Sequence, residues 1–269
     1  MFKHQFCRLF SISIALQLIL GCGDGEEGMQ ETMGVVKPPE APTNYYPNTI
    51  GSRWVYRNPD GFEWAREVTE TREIGLQLYH VFNYDPPNKD TTFDFLKTPS
   101  YRITRNRVLF FVGNELDQAY KQDLTDFFQE VYQDAGNIRI NVNTVSQAEL
   151  TFFRIPPARG IMWEVINLKV SWNVVFLDFG NFKRPFGLNL VYSGIVTDME
   201  SVETPAGIFE NCFKIQYDSK ATVTADNEET ETLREEVETI WLAPEVGMVK
   251  IEDGDGITEL IEYDVKPAE

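Results

Sequence analysis

Few side chains in this sequence can act as a nucleophile or as a general base near neutral pH. The thiols and imidazoles are Cys7, Cys22, Cys212, His4 and His80. His80 lies in the run 72–84, on the same face as several apolar residues that recur at period two. A histidine that acts as a general base needs a nucleophile and an orienting acid beside it, and the sequence offers neither. We therefore predict that His80 is a hydrogen-bonded core residue.

Cys212 stands between Asn211 and Phe213 at the start of a predicted strand. A reactive thiol needs a neighbour that lowers its pKa. Lys214 and Lys220 are the nearest basic residues that follow it, and they are too few to indicate such a site. We predict an inert, small side chain.

The acidic turn Asp253-Gly254-Asp255-Gly256 raises the question of a calcium site. An EF-hand loop that began at Asp253 would need an acidic ligand at its fifth position and a glutamate at its twelfth. Those positions hold Ile257 and Asp264. The turn is therefore predicted to join two strands. We assign no metal ligand, no cofactor and no catalytic residue, and an enzyme (a carboxylate- or metal-dependent hydrolase) is the third choice of function.

The chain is strongly acidic, with 24 Lys and Arg against 42 Asp and Glu and a net charge of −18. This balance argues against binding to nucleic acid and against a basic patch for anionic lipid. The densest acidic segment is 226–238, which has seven carboxylates and one arginine. We interpret it as a solvated loop followed by the outward face of a strand. The alternative is a surface that docks a basic partner or divalent cations.

The first 22 residues have the composition of a secretory signal. Lys3 and Arg8 supply positive charge, and an apolar run of 12 residues follows at 9–20. A helix of that length is too short to cross a bilayer, which takes about 20 residues. We predict that residues 1–21 are a signal peptide that is removed. The remaining Cys and His are then too few for a disulfide framework or for a zinc site made of these residues alone.

Residues Ile19-Leu20-Gly21-Cys22 resemble the lipobox of bacterial lipoproteins. The resemblance implies cleavage before Cys22 and lipidation of its thiol, for example with palmitate, which gives a membrane anchor in the cell envelope. Gly23, rather than aspartate, comes next, and this resembles proteins sorted to the outer membrane rather than the inner one. An ordinary cysteine after an ordinary signal peptide is the alternative. The Gly-, Glu- and Pro-rich segment 22–44 is predicted to be a flexible acidic tether.

Residues 45–269 read as a single β-rich domain, because short alternating runs are separated by turn residues. One segment, 114–134, has helical spacing instead, with an apolar stripe at Leu116, Tyr120, Leu124, Phe127 and Val131. The predicted fold class is mainly β: a curved antiparallel sheet or half-barrel of roughly eight or more strands, with this amphipathic helix packed on it.

Two C-terminal segments, E-T-P-A-G-x-F at 203–209 and W-L-A-P-x-V-G-x-V-K at 241–250, resemble exported β-rich proteins with DUF3108-type domains. The opening Y-P-x-x-x-G-x-x-W-x-Y at 46–56 also occurs in such lipoproteins. The resemblance covers residues 45–57 and 190–265. It implies a curved antiparallel sheet, broadly like the LolA/LolB lipoprotein carriers, and it transfers no catalytic residue.

Aromatic residues make up 13% of the chain, which is ample for a core and leaves open an apolar ligand on the concave face. The expected function is that of a non-catalytic, lipid-anchored envelope lipoprotein that binds an apolar ligand or lipid. The alternative is a surface protein that docks a protein partner through its acidic face. A deep apolar cavity would favour the first and a filled core the second.

Overall fold

The computed structural model describes residues 44–87, 93–132, 137–145, 147–225 and 231–267. The predicted signal peptide and nearly all of the tether, 1–43, lie outside this part of the chain. The strands are β1 (Arg53–Arg57), β2 (Glu63–Ile74), β3 (Gln77–Asp85), β4 (Ser100–Ile103), β5 (Arg107–Phe111), β6 (Ile138–Val145), β7 (Glu149–Arg154), β8 (Met162–Phe176), β9 (Phe182–Thr204), β10 (Gly207–Ala225), β11 (Glu231–Ala243), β12 (Gly247–Asp253) and β13 (Gly256–Asp264). The helices are α1 (Asp94–Lys97) and α2 (Glu115–Val131), and a 3-10 turn occupies Leu177–Phe179.

These thirteen strands form one antiparallel sheet in the order β6-β8-β9-β10-β11-β12-β13-β1-β2-β3-β4-β5-β7. Strands make up 65% of the structure, and the sheet is curved but not closed into a barrel. The predicted fold class is therefore confirmed. We use the name inner face for the side of the sheet that carries the alternating buried residues, such as Leu168, Val170 and Trp172 on β8.

The first and last strands are neighbours near the middle of the sheet. Trp54 on β1 pairs with Tyr263 on β13, and a bulge after Val55 shifts the register by one residue. The backbone N–H of Lys266 donates to the Ser52 hydroxyl at 3.0 Å, which holds the end of β13 beside the start of β1. The two ends of the described chain thus meet inside the sheet and not at its edge.

Helix α2 packs mainly against β6, β8 and β9. Leu116, Leu124 and Phe128 are its most buried described side chains, and the Phe128 ring lies 5.7 Å from that of Trp172 and 5.1 Å from that of Phe186. The predicted stripe is therefore correct at Leu116 and Leu124, whereas Phe127 is only partly buried and Phe128, which the stripe omitted, is fully buried. The side chains of Tyr120 and Val131 lie outside the described part of the structure. Each step of four residues turns the helix by about 40°, so positions 116, 124 and 128 spread over about 120° of its circumference.

Candidate functional site

His80 lies on β3 opposite Tyr101 on β4 and is half-buried. Its Nδ1 has no hydrogen-bond partner in the part of the chain that the structure describes. Burial lowers the pKa of the imidazole, and the backbone of Asn48 offsets part of this effect. The run around it is not one apolar core face, since Leu76 and Leu78 are 92% and 57% exposed at the tip of the β2–β3 hairpin. The pattern was misleading because the hairpin tip extends beyond the packed part of the sheet.

Cys212 is fully buried on β10, and its thiol donates to the carbonyl oxygen of Phe209 at 3.3 Å. Burial raises the pKa of the thiol to about 12, so at neutral pH it is protonated and a poor nucleophile.

The carboxylate of Asp253 serves the turn that joins β12 to β13. One of its oxygens accepts from the backbone N–H groups of Asp255 at 2.9 Å and Gly256 at 3.2 Å. Such side-chain bonds are typical of an Asx turn. Across the described ranges, no three His, Cys, Asp or Glu side chains are arranged to hold a metal ion.

The acidic segment does not form a single outward face. Its first part, 226–230, lies outside the described residues. On β11, Glu238 is only 5% exposed, and the hydroxyl of Tyr192 donates to its Oε2 at 3.4 Å. Glu235 is exposed and pairs with Lys220 at 3.3 Å. The expectation of an outward acidic face is wrong at Glu238, because the even-numbered residues of β11 continue into the buried Ile240 and Leu242.

A charged cluster that the sequence did not reveal joins β3, β4 and β7. Arg102 donates to both carboxylate oxygens of Glu149, with Nη2 at 2.7 Å from Oε2, and the hydroxyl of Tyr79 donates to Oε1. The hydrogen bonds from Arg102 lower the pKa of Glu149, while burial and the carboxylate raise the pKa of Tyr79 to about 12. The carboxylate of Glu149 therefore links three strands. Its lowered pKa also makes it a weak base.

The recurrent aromatic residues of the N-terminal motif bind the backbone of the C-terminal one. The Trp54 indole N–H donates to the carbonyl of Val246 at 2.7 Å, and the Tyr56 hydroxyl donates to that of Met248 at 2.9 Å. Gly247, between them, has φ of +90°, and an added Cβ would lie 3.3 Å from Pro47 Cδ. The two motifs thus pack against each other, and this gives a structural reason for the aromatic residues of the first and the glycine of the second.

Edge strand β7 is also bonded to the far half of the sheet. Phe152 occupies an irregularity in the β5–β7 pairing. Its carbonyl accepts from the Trp163 indole N–H at 3.1 Å and from the Tyr217 hydroxyl at 2.9 Å. The Phe152 and Tyr217 rings stack at 6.2 Å. Side chains from both halves of the sheet therefore meet across the inner face.

The candidate site is a ring of aromatic side chains around a buried cation, which we call the Arg66 cluster. Arg66 on β2 is 7% exposed and lies between its strand partners Trp54 on β1 and Tyr84 on β3. Its guanidinium carbon is 4.6 Å from the centre of the Phe82 ring, 5.1 Å from that of Trp54 and 5.5 Å from that of Tyr46. The remaining members are Tyr56, Tyr84 and Tyr101, whose hydroxyls also interact electrostatically with Arg66.

The sequence carries only a faint signal for this cluster. Trp64, Arg66 and Val68 alternate with Ala65 and Glu67. Both sets are mixed, so periodicity alone does not say which set faces inward. Tyr46 and Tyr101 reach Arg66 from distant parts of the chain, and a single sequence does not show such contacts.

Comparison with known proteins gives a partial family match. A family model described as DUF3108-like matches residues 193–265, which run from the middle of β9 to just past β13. This agrees with the resemblance noted for the C-terminal segments. A search of curated proteins finds no significant match.

Two solved structures are similar to this chain. One is a Bacteroides fragilis protein inferred to be exported, with a YmcC-like fold: 15% identity, TM-score 0.38, covering 82% of this chain and 99% of the other. The second is a Parabacteroides distasonis protein inferred to be a lipoprotein: 16% identity, TM-score 0.37, covering 84% of this chain and 100% of the other. Within the described ranges, the helices are too short or too polar to cross a membrane.

Proposed function

We propose that this chain is a lipid-anchored, non-catalytic binding protein of the bacterial cell envelope. The observation that carries the proposal is the Ile19-Leu20-Gly21-Cys22 lipobox, followed by the Gly-, Glu- and Pro-rich segment 22–44. That segment ends where the described fold begins, at Asn44, whose backbone N–H donates to Glu245 Oε1 at 2.8 Å. An acylated Cys22 would hold the β-rich domain near the bilayer through this tether, and Gly23 favours the outer membrane.

A binding role is supported by the inner face of the sheet. The Arg66 cluster places several aromatic rings around one charged side chain, and sites for small ligands commonly combine apolar walls with a few polar groups. The non-catalytic part of the proposal is supported by the reactive groups themselves. Cys212 is protonated at neutral pH, Glu149 is clamped by Arg102, and Asp253 closes a turn.

Docking of a protein partner through an acidic face is the alternative. It has less support, because Glu238 lies inside the sheet and Glu235 is paired with Lys220. A carboxylate- or metal-dependent hydrolase is the third choice. It would need several carboxylates in one cleft, whereas those of Glu149 and Glu235 are paired, that of Glu238 is buried and that of Asp253 serves a turn.

Lipidation of Cys22 is tested by growing cells with an alkyne analogue of palmitate and measuring its incorporation. We expect label on the wild-type protein and none on Cys22→Ser, because the acyl chains are attached only at the lipobox cysteine. Cys7→Ser is the matched control, since it removes a thiol of the same segment and should keep the label. Label that persists on Cys22→Ser, or that is missing from the wild type, would refute the anchor.

A further inference from the structure

Arg66 is a buried charge that has no counter-ion among the described residues. None of the ion pairs between described residues includes it, and its Nε–H has no hydrogen-bond partner. A guanidinium carries five N–H donors and stays protonated at any physiological pH. Buried charges in proteins are normally paired, because water no longer solvates them. Arg102 of the same molecule shows the usual arrangement, because its Nε–H and Nη2–H groups both donate to the carboxylate of Glu149.

The surrounding rings satisfy Arg66 only in part. Phe82, Trp54 and Tyr46 lie within 5.5 Å of the guanidinium carbon and attract the cation through their π faces. A ring face does not replace an oxygen acceptor in the plane of the guanidinium. The Nε–H of Arg66 therefore has no oxygen acceptor among the described residues.

A second polar group in the cluster is also unsatisfied. Among the described residues, the hydroxyl of Tyr46 forms no hydrogen bond of normal geometry, although Arg66 and Tyr101 lie close to it. Burial raises the pKa of Tyr46, so its hydroxyl keeps its proton and can donate. The hydroxyl of Tyr56 is already used, since it donates to Met248. The Nε–H of Arg66 and the hydroxyl of Tyr46 thus lie in one cluster, and neither has a hydrogen bond of normal geometry among the described residues.

The aromatic rings around Arg66 determine which class of ligand would bind. A small hydrated anion would lose most of its hydration and gain only these two groups in return. An amphipathic molecule gains burial of its apolar part against the rings as well. Tyr84, which is opposite Arg66 on β3, is the one member of the cluster that is not fully buried, so we expect a ligand to enter beside it.

We propose that Arg66 and Tyr46 bind the oxyanion, a carboxylate or a phosphate, of an amphipathic ligand whose apolar part packs on the rings of the Arg66 cluster. This inference rests on the proposed binding role and names the chemistry of its ligand. It does not depend on the lipid anchor.

The test uses the full-length protein in a neutral detergent, with octanoate, octanol and inorganic phosphate as probes. Tryptophan fluorescence reports binding, because Trp54 and Trp64 lie in or beside the cluster. We expect saturable binding of octanoate and weaker binding of octanol and phosphate. Arg66→Met should lower the affinity for octanoate by about tenfold or more, which is the usual effect of losing a charge-assisted hydrogen bond. The variant should no longer bind octanoate more tightly than octanol.

Two further variants keep the test decisive. Tyr46→Phe removes only an oxygen without a normal hydrogen bond, so it should fold normally and still lose affinity for octanoate but not for octanol. Arg57→Met is the matched charge control, because Arg57 is an exposed residue of β1 that pairs with Glu63, and it should bind like the wild type. Arg66→Met should change the Tm by only a few degrees, since the side chain loses its contacts with the rings but no ion pair between described residues.

Three results would overturn the inference. Equal binding of octanoate and octanol, unchanged in Arg66→Met, would leave the binding role standing and remove the anion site. Binding of phosphate alone would show that the ligand is a free anion. Binding of none of the probes, together with a large fall in the Tm of Arg66→Met, would make Arg66 a structural residue and would count against the binding role too.

Discussion

Gly194 on β9 leaves no room for a side chain, because two aromatic rings of the inner face lie against its backbone. A Cβ at this position would lie 2.6 Å from Trp163 Cε2 and 2.9 Å from Tyr217 Cε1, with Cζ2 of Trp163 closer still. These two rings carry the donors that bind the Phe152 carbonyl on β7. The absence of a side chain at Gly194 therefore allows the two halves of the sheet to be joined.

We expect Gly194→Ala to lower the free energy of unfolding by about 1–3 kcal/mol, the usual cost of forcing extra volume into a packed core. Gly187→Ala is the matched control: it lies on the same strand, and no atom lies within 4 Å of its Cβ. The control should leave stability unchanged or slightly improved. Chemical denaturation of the three proteins measures the difference, and equal effects of the two substitutions would contradict this role of Gly194.

Individual buried residues show which features a single sequence predicts and which it does not. Composition and pattern were enough to indicate a protonated, structural Cys212 and a turn at Asp253. They did not place Glu238 or Arg66 inside the fold, because near the middle of this sheet both faces are covered. Ile240, Trp241 and Leu242 are consecutive and all buried, so alternation no longer tells the inner face from the outer one.

The helix and the strands differ in how much of them could be foreseen. The helical segment 114–134 is observed as α2, Glu115–Val131. The strands were expected to be short runs separated by turns, whereas β8, β9 and β10 extend over 15, 23 and 19 residues. Bulges, such as the one between Phe209 and Cys212, interrupt the pairing locally without ending the strand.

The position of Phe128 gives a prediction for α2. Phe128 is 0% exposed and contacts both Trp172 and Phe186, so Phe128→Ala should cost about 3–5 kcal/mol of stability. Phe127→Ala should cost clearly less, because Phe127 is only partly buried. Thermal unfolding followed by circular dichroism compares the two. A larger loss for Phe127→Ala would show that the helix packs in a different rotation.

The arrangement of the molecule as a whole depends on a pairing that no local pattern indicates. β1 and β13 are adjacent in the sheet but about as far apart in sequence as two strands of the described chain can be. Pairing over such a separation carries a large loss of chain entropy before its contacts form. The sequence predicts the two strands and their turns, but nothing in either strand specifies the other as its partner.

Because β13 lies beside β1, the order of the strands along the chain can be changed without changing their order in the sheet. A circular permutant could open the chain in the β12–β13 turn, between Gly254 and Asp255, and join residue 267 to residue 44 through about ten Gly and Ser residues. β13 would then precede β1, and their distant pairing would become a local hairpin. We expect the permutant to keep the Tm of the unpermuted 44–267 chain within a few degrees and to refold faster in stopped-flow experiments, because closing a short loop costs less entropy. Equal or slower refolding would mean that the β1–β13 pairing forms after the rate-limiting step and that the nucleus lies elsewhere, for instance in the long β9–β10 hairpin.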